Sequence, residues 1–322
     1  MKTAYIVSAQ RTPIGCFLGK LSKQTAVELG SAAIKGAINK IKLPNDAINE
    51  AYLGNVISSG LKQVYPIYIQ LPARQAVIKA GLPTSVICTT VNKACASGMK
   101  TVTLGCQSIN QNLANIVLAG GFESMTNIPH YIYSRTSLKY GDGKLLDGLS
   151  TDGLLDAYSN QAMGVCAEKT VKDFQLTRQQ QDDYTVISYE RAIQSIKQGR
   201  WVNEITPVQI SEKEVLSEDE EVKRYQKEKI PHLKPAFVKD GTITPANASK
   251  INDGACAILL ASEEALKKYN LTPLARIVSF ADAEVEPIDF CIAPAQSSAI
   301  ALQRAGYILY LIQSQNRQYR FP

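Results

Sequence analysis

Cys95 carries the clearest signature of chemical reactivity in this chain. It lies in the stretch N-K-A-C-A-S-G-M (residues 92–99). The run 85–91 before it is typical of a strand, and apolar residues recur at helical spacing over 98–113. The free amides and the dipole at a helix N-terminus favour an anion, and the thiolate is the reactive form of cysteine. Small neighbours leave the sulfur accessible to a bulky substrate, so the pattern predicts a nucleophilic cysteine.

A packing role is the alternative for any cysteine, because free cysteines are among the most buried residues. Six further cysteines lie in apolar or mixed stretches without a comparable setting, and we interpret them as packing residues: Cys16, Cys88, Cys106, Cys166, Cys256 and Cys291. Seven cysteines without a C-x-x-C pair argue against a zinc site and against a disulfide framework.

The elements that must position Cys95 alternate between strands and helices. Strands are predicted at 4–8, 51–57, 85–91 and 115–118, the last ending in A-G-G. Helices are predicted at 25–41, with Thr25 as N-cap, and at 73–80 and 98–113. This alternation predicts a layered α/β fold around a mixed or parallel sheet.

The chain becomes more polar between Phe122 and about Ala248, which we interpret as an excursion from the core. A helical hairpin is predicted there, at 161–172 and 178–198, and the charged run 211–229 is most simply a solvated surface. Strand character returns at 255–260, a helix follows at 262–269, and a new unit is predicted to begin at Pro273.

The bulk composition is that of an ordinary globular protein. The 322 residues are 45% hydrophobic and 20% charged, with a formal net charge of +6. That charge suits a polyanionic small molecule, and without a basic stripe interleaved with aromatics it does not indicate nucleic-acid binding. No apolar run approaches a membrane span. The N-terminus enters a strand without a signal or transit pattern, so we expect a cytoplasmic protein.

Six sequence blocks in order resemble the thiolase family, most closely the acetoacetyl-CoA thiolases (acetyl-CoA acetyltransferases). The blocks are R-T-P-I-G (11–15), N-K-A-C-A-S-G-M-K (92–100), A-G-G-F-E-S-M-T-N (119–127), A-M-G-V-C-A-E (162–168), A-N-A-S-K-I-N-D-G-A (246–255) and A-E-V-E-P-I-D-F (283–290). An ordered series is far more specific than any single motif.

The resemblance implies a thiolase fold of two similar α/β halves, the first carrying an inserted loop domain. On this basis we expect an N-terminal domain at 1–270, with the insertion at about 122–248. Residues 271–322 would begin a second half that is incomplete in this sequence. The likeness also implies a homo-oligomer, a dimer or tetramer when intact.

The resemblance implies that Cys95 accepts an acyl group from one CoA thioester and passes it to the carbanion of a second acetyl-CoA. Acetyl-CoA and acetoacetyl-CoA are then the substrates, and no cofactor is needed. Coenzyme A would be held by residues that match family contacts: Arg224 near the nucleotide, Ser249 at the pantetheine, and Leu154, Met163 and Phe237 along the same arm. Taken alone, Arg224 reads as a surface charge, and Met163 and Phe237 read as core.

Three further positions match residues that bind potassium in mitochondrial-type members: Tyr184, Ala246 and Ala248. Pro245 replaces the usual small residue beside them.

The motifs G-H-P-x-G, C-x-G-G and N-E-A-F, which supply the family's base, second cysteine and asparagine, do not occur in this sequence. A positioned acid or base supplies about 10²–10⁴-fold, so we expect this chain alone to be inactive in condensation. Two alternatives stay open. One is a non-catalytic thiolase-like protein that binds CoA esters or a partner subunit. The other is a 3-oxoacyl synthase, which the matched blocks favour less.

Overall fold

A mixed sheet is the centre of the fold. The computed structural model describes residues 2–60 and 71–307. Its strands are β1 (Ala4–Arg11), β2 (Gly15–Cys16), β3 (Glu50–Gly54), β4 (Ile87–Val91), β5 (Ile116–Ser124), β6 (His130–Tyr131), β7 (Leu146–Asp147), β8 (Val208–Ser211), β9 (Glu214–Leu216), β10 (Asn252–Ser262) and β11 (Ala275–Arg276). Over these residues the sheet has seven strands in the order β11-β1-β10-β5-β3-β4, with β2 paired to β10. Strand β3 runs parallel to β4 and β5, and the other pairings are antiparallel.

Helices connect and cover the strands. They are α1 (Ala26–Ile41), α2 (Pro72–Lys79), α3 (Ser97–Asn110), α4 (Ser134–Ser137), α5 (Met163–Asp173), α6 (Arg178–Lys197), α7 (Glu263–Tyr269) and α8 (Ala293–Arg304). Helix α1 begins with a capping box: the Glu28 amide donates to Thr25 Oγ1 at 3.2 Å, and the Thr25 amide donates to Glu28 Oε2 at 3.0 Å. This reciprocal cap satisfies amides that the helix leaves without carbonyl acceptors.

Side chains that alternate along β5 contact helices on both faces of the sheet. Leu118 and Phe122 belong to the core cluster that contains the buried face of α1. Val117 points the other way, because a Cβ on Gly105 of α3 would lie 2.9 Å from it. Since successive strand residues face opposite sides, α1 and α3 enclose the sheet in an α/β/α sandwich.

The predicted alternation of strands and helices is confirmed, including Thr25 as the N-cap of α1. Strand β5 is longer than predicted. It continues through Gly120 and Gly121 to Ser124, because β10 and β3 supply backbone partners on both sides of those glycines.

The charged run 211–229 was predicted to be a solvated surface, and the structure corrects this in part. The run contains β9, the last residue of β8 and a buried carboxylate, Asp219. Arg11 explains this burial, since its Nη1 and Nη2 donate to the two oxygens of Asp219 at 2.7 and 3.0 Å. A paired, bidentate carboxylate can be buried where a lone one could not.

The chain divides into two compact units. The first comprises the described residues within 1–153, 192–225 and 250–277, and the second comprises those within 154–191, 226–249 and 278–307. The domain boundaries at residues 122, 248 and 270 stay a prediction, and the last part of the predicted second half, 308–322, lies outside the described residues. Within the described ranges, no helix combines the length and the apolar character that a membrane crossing requires.

Candidate active site around Cys95

Cys95 lies in the short turn between the end of β4 and the start of α3, as predicted, and it is exposed. The turn is tight, since Ala94 adopts a left-handed backbone conformation with φ of 44°. Ser97, the first residue of α3, fixes the turn: its Oγ donates to the Ala94 carbonyl at 2.6 Å and accepts from the Lys93 amide at 2.8 Å. Cys95 therefore lies two residues before the first residue of a 14-residue helix, whose N-terminus carries the positive end of the dipole.

Glycines allow the start of α3 to lie directly on the sheet. A Cβ on Gly54, the last residue of β3, would lie 2.8 Å from the Gly98 nitrogen, and a Cβ on Gly121 would lie 3.3 Å from the Gly98 Cα. Such distances leave no room for side chains. Gly54 and Gly121 are register partners in the parallel pair β3–β5. Two adjacent strands thus form a smooth platform for the helix end beside Cys95.

The Thr101 hydroxyl holds α3 on this platform. Its single O–H is shared between the Gly98 carbonyl at 2.6 Å and the Gly120 carbonyl at 3.0 Å, and its oxygen accepts from the Gly120 amide at 2.8 Å. Thr101 is fully buried. Because unpaired buried polar groups are costly, this set of bonds strongly favours one position of the helix.

Asn92 connects the Cys95 turn to the end of β3. Its Nδ2 donates to the Val56 carbonyl at 3.1 Å, and its Oδ1 accepts from the Ala94 amide at 3.1 Å. The Val56 amide in turn donates to Oε2 of Glu123 at 2.9 Å. The amide and the carbonyl of Val56 therefore link the Cys95 turn to the Glu123 carboxylate on β5.

Glu123 organises the residues that follow β3. Its Oε1 accepts from Asn55 Nδ2 at 2.9 Å, and its Oε2 also accepts from the Ile57 amide at 3.4 Å. Burial raises the pKa of this carboxyl to about 7, although the hydrogen bonds from Val56, Ile57 and Asn55 act in the opposite direction. When ionised, the Glu123 carboxylate is thus stabilised by hydrogen bonds from neutral donors, at a position that is largely shielded from water.

Asn55, Asn92 and Glu123 are not among the functional residues predicted from the sequence. Two of them lie in quoted blocks, Asn92 in 92–100 and Glu123 in 119–127. The available signal was a carboxylate inside a strand that is otherwise apolar, which needs donors if it is to be buried. The sequence could not show which donors those are.

Arg224 belongs to the first unit, as Cys95 does. It ends the 3₁₀ turn Glu221–Arg224, its side chain is largely exposed, and its Nη1 lies 3.9 Å from Glu221 Oε2. Lys250 Nζ lies 4.0 Å from the other oxygen of Glu221. The two cations therefore lie on either side of one carboxylate, and the Arg224 guanidinium is the group there whose geometry suits a phosphate.

The other predicted coenzyme A contacts belong to the second unit. The Phe237 ring lies against Gly164, where a Cβ would be 2.3 Å from ring carbons, and Gly164 follows Met163 at the start of α5. Met163 and Leu154 are half-buried and Ser249 is exposed. The structure therefore brings Phe237 to the helix turn that begins with Met163.

Oxygen donors are present at the predicted potassium residues. The turn that holds Ala246 and Ala248 is closed by the Ala248 amide, which donates to the Thr244 carbonyl at 2.9 Å. Asn247 Nδ2 donates to Asp182 Oδ1 at 3.0 Å, and Asp182 shares α6 with Tyr184. Carbonyl and phenol oxygens suit a hard cation, so the donor chemistry fits the ion.

Neither histidine belongs to the Cys95 turn. His130 lies in β6 and His232 ends a 3₁₀ turn, and both are exposed. In the part of the chain that the structure describes, no group of three or more His, Cys, Asp or Glu side chains could hold a metal ion.

Comparisons with known proteins agree with this architecture. The family described as "Thiolase, N-terminal domain" matches residues 4–264. Mitochondrial acetyl-CoA acetyltransferase from Homo sapiens is 48% identical over 95% of this chain and 71% of its own length. A cytosolic acetyl-CoA acetyltransferase from Gibberella zeae is 47% identical over 94% of this chain and 76% of its own length.

Solved structures show the same fold. The Acat5 thiolase from Ascaris suum, in complex with coenzyme A, superimposes with a TM-score of 0.89 and 46% identity, covering 95% of this chain and 78% of that one. Human mitochondrial 3-ketoacyl-CoA thiolase superimposes with the same TM-score at 33% identity, covering 95% and 77%. This chain therefore belongs to the thiolase family and is, by that membership, an acyltransferase.

Proposed function

We propose that this chain takes an acetyl group from acetyl-CoA or acetoacetyl-CoA onto Cys95. The observation that carries the proposal is the position of Cys95, exposed in a hydrogen-bonded turn directly before α3. The relatives named acetyl-CoA acetyltransferase support the acyl group, and a thiolase solved with coenzyme A supports the carrier.

The first step is transfer of an acetyl group to the Cys95 sulfur. With acetyl-CoA, the Cys95 thiolate attacks the thioester carbonyl carbon, the bond from that carbon to the CoA sulfur breaks, and CoA leaves as a thiolate. With acetoacetyl-CoA, the thiolate attacks the C3 carbonyl carbon, the bond between C3 and C2 breaks, and acetyl-CoA leaves as a carbanion that takes up a proton. An acetyl thioester on Cys95 remains. Thioester exchange suits cysteine, because a thiolate is a good nucleophile and a good leaving group. The first-turn amides of α3, at Gly98 and Met99, stand where a helix provides no carbonyl acceptors and where negative charge is stabilised.

The second step joins two acetyl units. A carbanion formed at the methyl group of a second acetyl-CoA attacks the acetyl-Cys95 carbonyl, a carbon–carbon bond forms, and the Cys95 thiolate leaves. Removal of the methyl proton needs a positioned base. Neither histidine of this sequence is in the Cys95 turn. We therefore propose that this chain supports formation of the acyl-enzyme much better than it supports condensation.

Arg224, Ser249, Leu154, Met163 and Phe237 are proposed to hold the coenzyme A arm. The guanidinium of Arg224 suits a phosphate group, and Phe237 beside Met163 offers an apolar surface. Tyr184, Ala246 and Ala248 are proposed to supply oxygen ligands to potassium. A homo-oligomer and a cytoplasmic location also remain proposals.

Intact-protein mass spectrometry after incubation with acetyl-CoA tests the acyl-enzyme step. We expect a mass increase of one acetyl group, located at Cys95 by peptide mapping, reversed by free CoA and absent in Cys95→Ser. The matched control is Cys256→Ser, which removes the other exposed cysteine of the described residues and should acetylate normally. Binding of acetyl-CoA without acetylation would favour the non-catalytic CoA-ester-binding protein instead.

A further inference from the structure

We infer that Glu123 is a positioning residue for Cys95, acting through the Val56 peptide and Asn92. The inference rests on the proposed role of Cys95 as nucleophile. Glu123 lies on β5 and the cysteine lies in the turn before α3, and the segment that follows β3 connects the two by hydrogen bonds.

The path consists of three successive hydrogen bonds. Glu123 Oε2 accepts from the Val56 amide at 2.9 Å, and the Val56 carbonyl accepts from Asn92 Nδ2 at 3.1 Å. Asn92 Oδ1 then accepts from the Ala94 amide at 3.1 Å, one residue before Cys95. The Val56 amide and the Val56 carbonyl both take part in this path. A rotation of residue 56 would therefore break its bond to Glu123 and its bond to Asn92.

The residues around Val56 depend on the same carboxylate. Asn55 is buried, and its Nδ2 donates both to Glu123 Oε1 at 2.9 Å and to the Phe122 carbonyl at 3.1 Å. The Ile57 amide donates to Glu123 Oε2 at 3.4 Å. Three consecutive residues are thus oriented by one side chain, and only acceptor oxygens can satisfy all of these donors.

A neutral amide at position 123 would not reproduce this arrangement. Glutamine has the size of glutamate, but one of its two polar ends is a donor and would face donors from residues 55–57. Glu123→Gln is therefore expected to release the Val56 peptide, and with it the Asn92 side chain, while keeping the packing volume.

Alkylation of Cys95 by iodoacetamide reports on the turn without any CoA ester. At about pH 8, one unit above the pKa of Glu123 of about 7, we expect Glu123→Gln to slow alkylation at Cys95 by about threefold or more. Loss of the negative charge of Glu123 alone would instead speed alkylation, because a nearby negative charge disfavours the thiolate. Slower alkylation therefore separates positioning from simple electrostatics.

Three further variants complete the test. Asn92→Ala, at an exposed position, should slow alkylation to a similar degree, and the double variant should be no slower than either single one. The matched control is Ser58→Ala, which removes the Ser58 Oγ bond to Asn55 Oδ1 at 2.7 Å but no bond of the Glu123–Val56–Asn92 path, and it should leave the rate unchanged.

Unchanged or faster alkylation in Glu123→Gln, or additive effects of the Glu123 and Asn92 substitutions, would overturn the inference. The acetylation experiment is separate from this one. Failure of acetyl transfer with the alkylation pattern intact would reject the proposed function and leave the positioning path standing.

Discussion

Gly54 and Gly98 bring the end of β3 and the first turn of α3 into direct backbone contact. A Cβ on Gly54 would lie 2.8 Å from the Gly98 nitrogen and 2.8 Å from the Ser97 carbonyl carbon. Ser97 holds the Cys95 turn through its hydroxyl. The position of the cysteine thus depends on the absence of one methyl group from a neighbouring strand.

Gly54→Ala is expected to destabilise the protein and to displace Cys95. The methyl group would meet backbone atoms, which cannot turn aside, so we expect a loss of about 1–3 kcal/mol in the free energy of unfolding. Urea denaturation measures the loss, and alkylation at Cys95 measures the displacement.

Gly254→Ala is the matched control for the glycine substitution. It lies on β10 of the same sheet, and its nearest neighbour is the end of the Ile14 side chain, 3.0 Å from the added Cβ. A flexible chain end can move, so the loss should be clearly smaller. Equal losses in both variants would contradict the role given to the Gly54–Gly98 contact.

The sequence predicted the local structure around Cys95 because local patterns determine it. The β-branched run of β4 and the helical spacing of α3 are both readable from neighbouring residues, and the turn between them follows. The capping pair Thr25 and Glu28 was readable for the same reason, although only the threonine was assigned.

Pairings between distant residues could not be predicted from local patterns. Asp219 lies about 200 residues from its partner Arg11, and nothing near Asp219 marks it as buried. The continuation of β5 through Gly120 and Gly121 has the same origin, because glycines alone indicate a strand end and only the flanking strands show otherwise. The roles of Glu123 and Asn92 likewise depend on contacts across the sheet.

Glu123 is expected to make stability depend on pH. Burial raises its pKa from 4.5 to about 7, so between these values the folded state binds more protons than the unfolded state. The contribution of this group to stability therefore falls as pH rises from about 4.5 to about 7, by at most about 3 kcal/mol.

Comparison of wild type with Glu123→Gln isolates that effect. Unfolding free energies are measured by urea denaturation across the window, and the difference between the two proteins should change with pH only between the two values. A constant difference, or one that favours wild type increasingly as pH rises, would show that Glu123 stays ionised in the folded protein.

Potassium is expected to stabilise the second unit if Tyr184, Ala246 and Ala248 bind it. A ligand at about tenfold its Kd adds about 1.4 kcal/mol to the free energy of unfolding. Melting temperatures in potassium and sodium chloride at equal ionic strength measure this, since general screening is then the same. Tyr184→Phe removes the phenol oxygen and should abolish the difference; Tyr158→Phe, another exposed tyrosine of the second unit, should not.

Cys95 is expected to be the most reactive thiol of the protein. Within the described residues it shares exposure with Cys256, whereas Cys16, Cys106 and Cys166 are buried. Although the Cys256 side chain reaches solvent, the protein around it partly desolvates the sulfur and raises the pKa of this thiol, so it is protonated at neutral pH. Iodoacetamide at limiting concentration, followed by peptide mass spectrometry, should label Cys95 well before Cys256.

The comparison between the two exposed cysteines shows whether the fold itself makes Cys95 the more reactive thiol. Cys256 lies on β10 in register with Gly121, whose backbone approaches Gly98 at the start of α3, so both thiols are attached to the same platform. In concentrated urea, where both thiols are fully exposed, iodoacetamide should label them at comparable rates. Preferential labelling of Cys95 in the folded protein alone would then reflect the folded surroundings of the two thiols, because alkylation proceeds through the anion and desolvation at Cys256 disfavours that anion. Equal labelling of both thiols in the folded protein would remove the main physical reason for regarding Cys95 as the nucleophile.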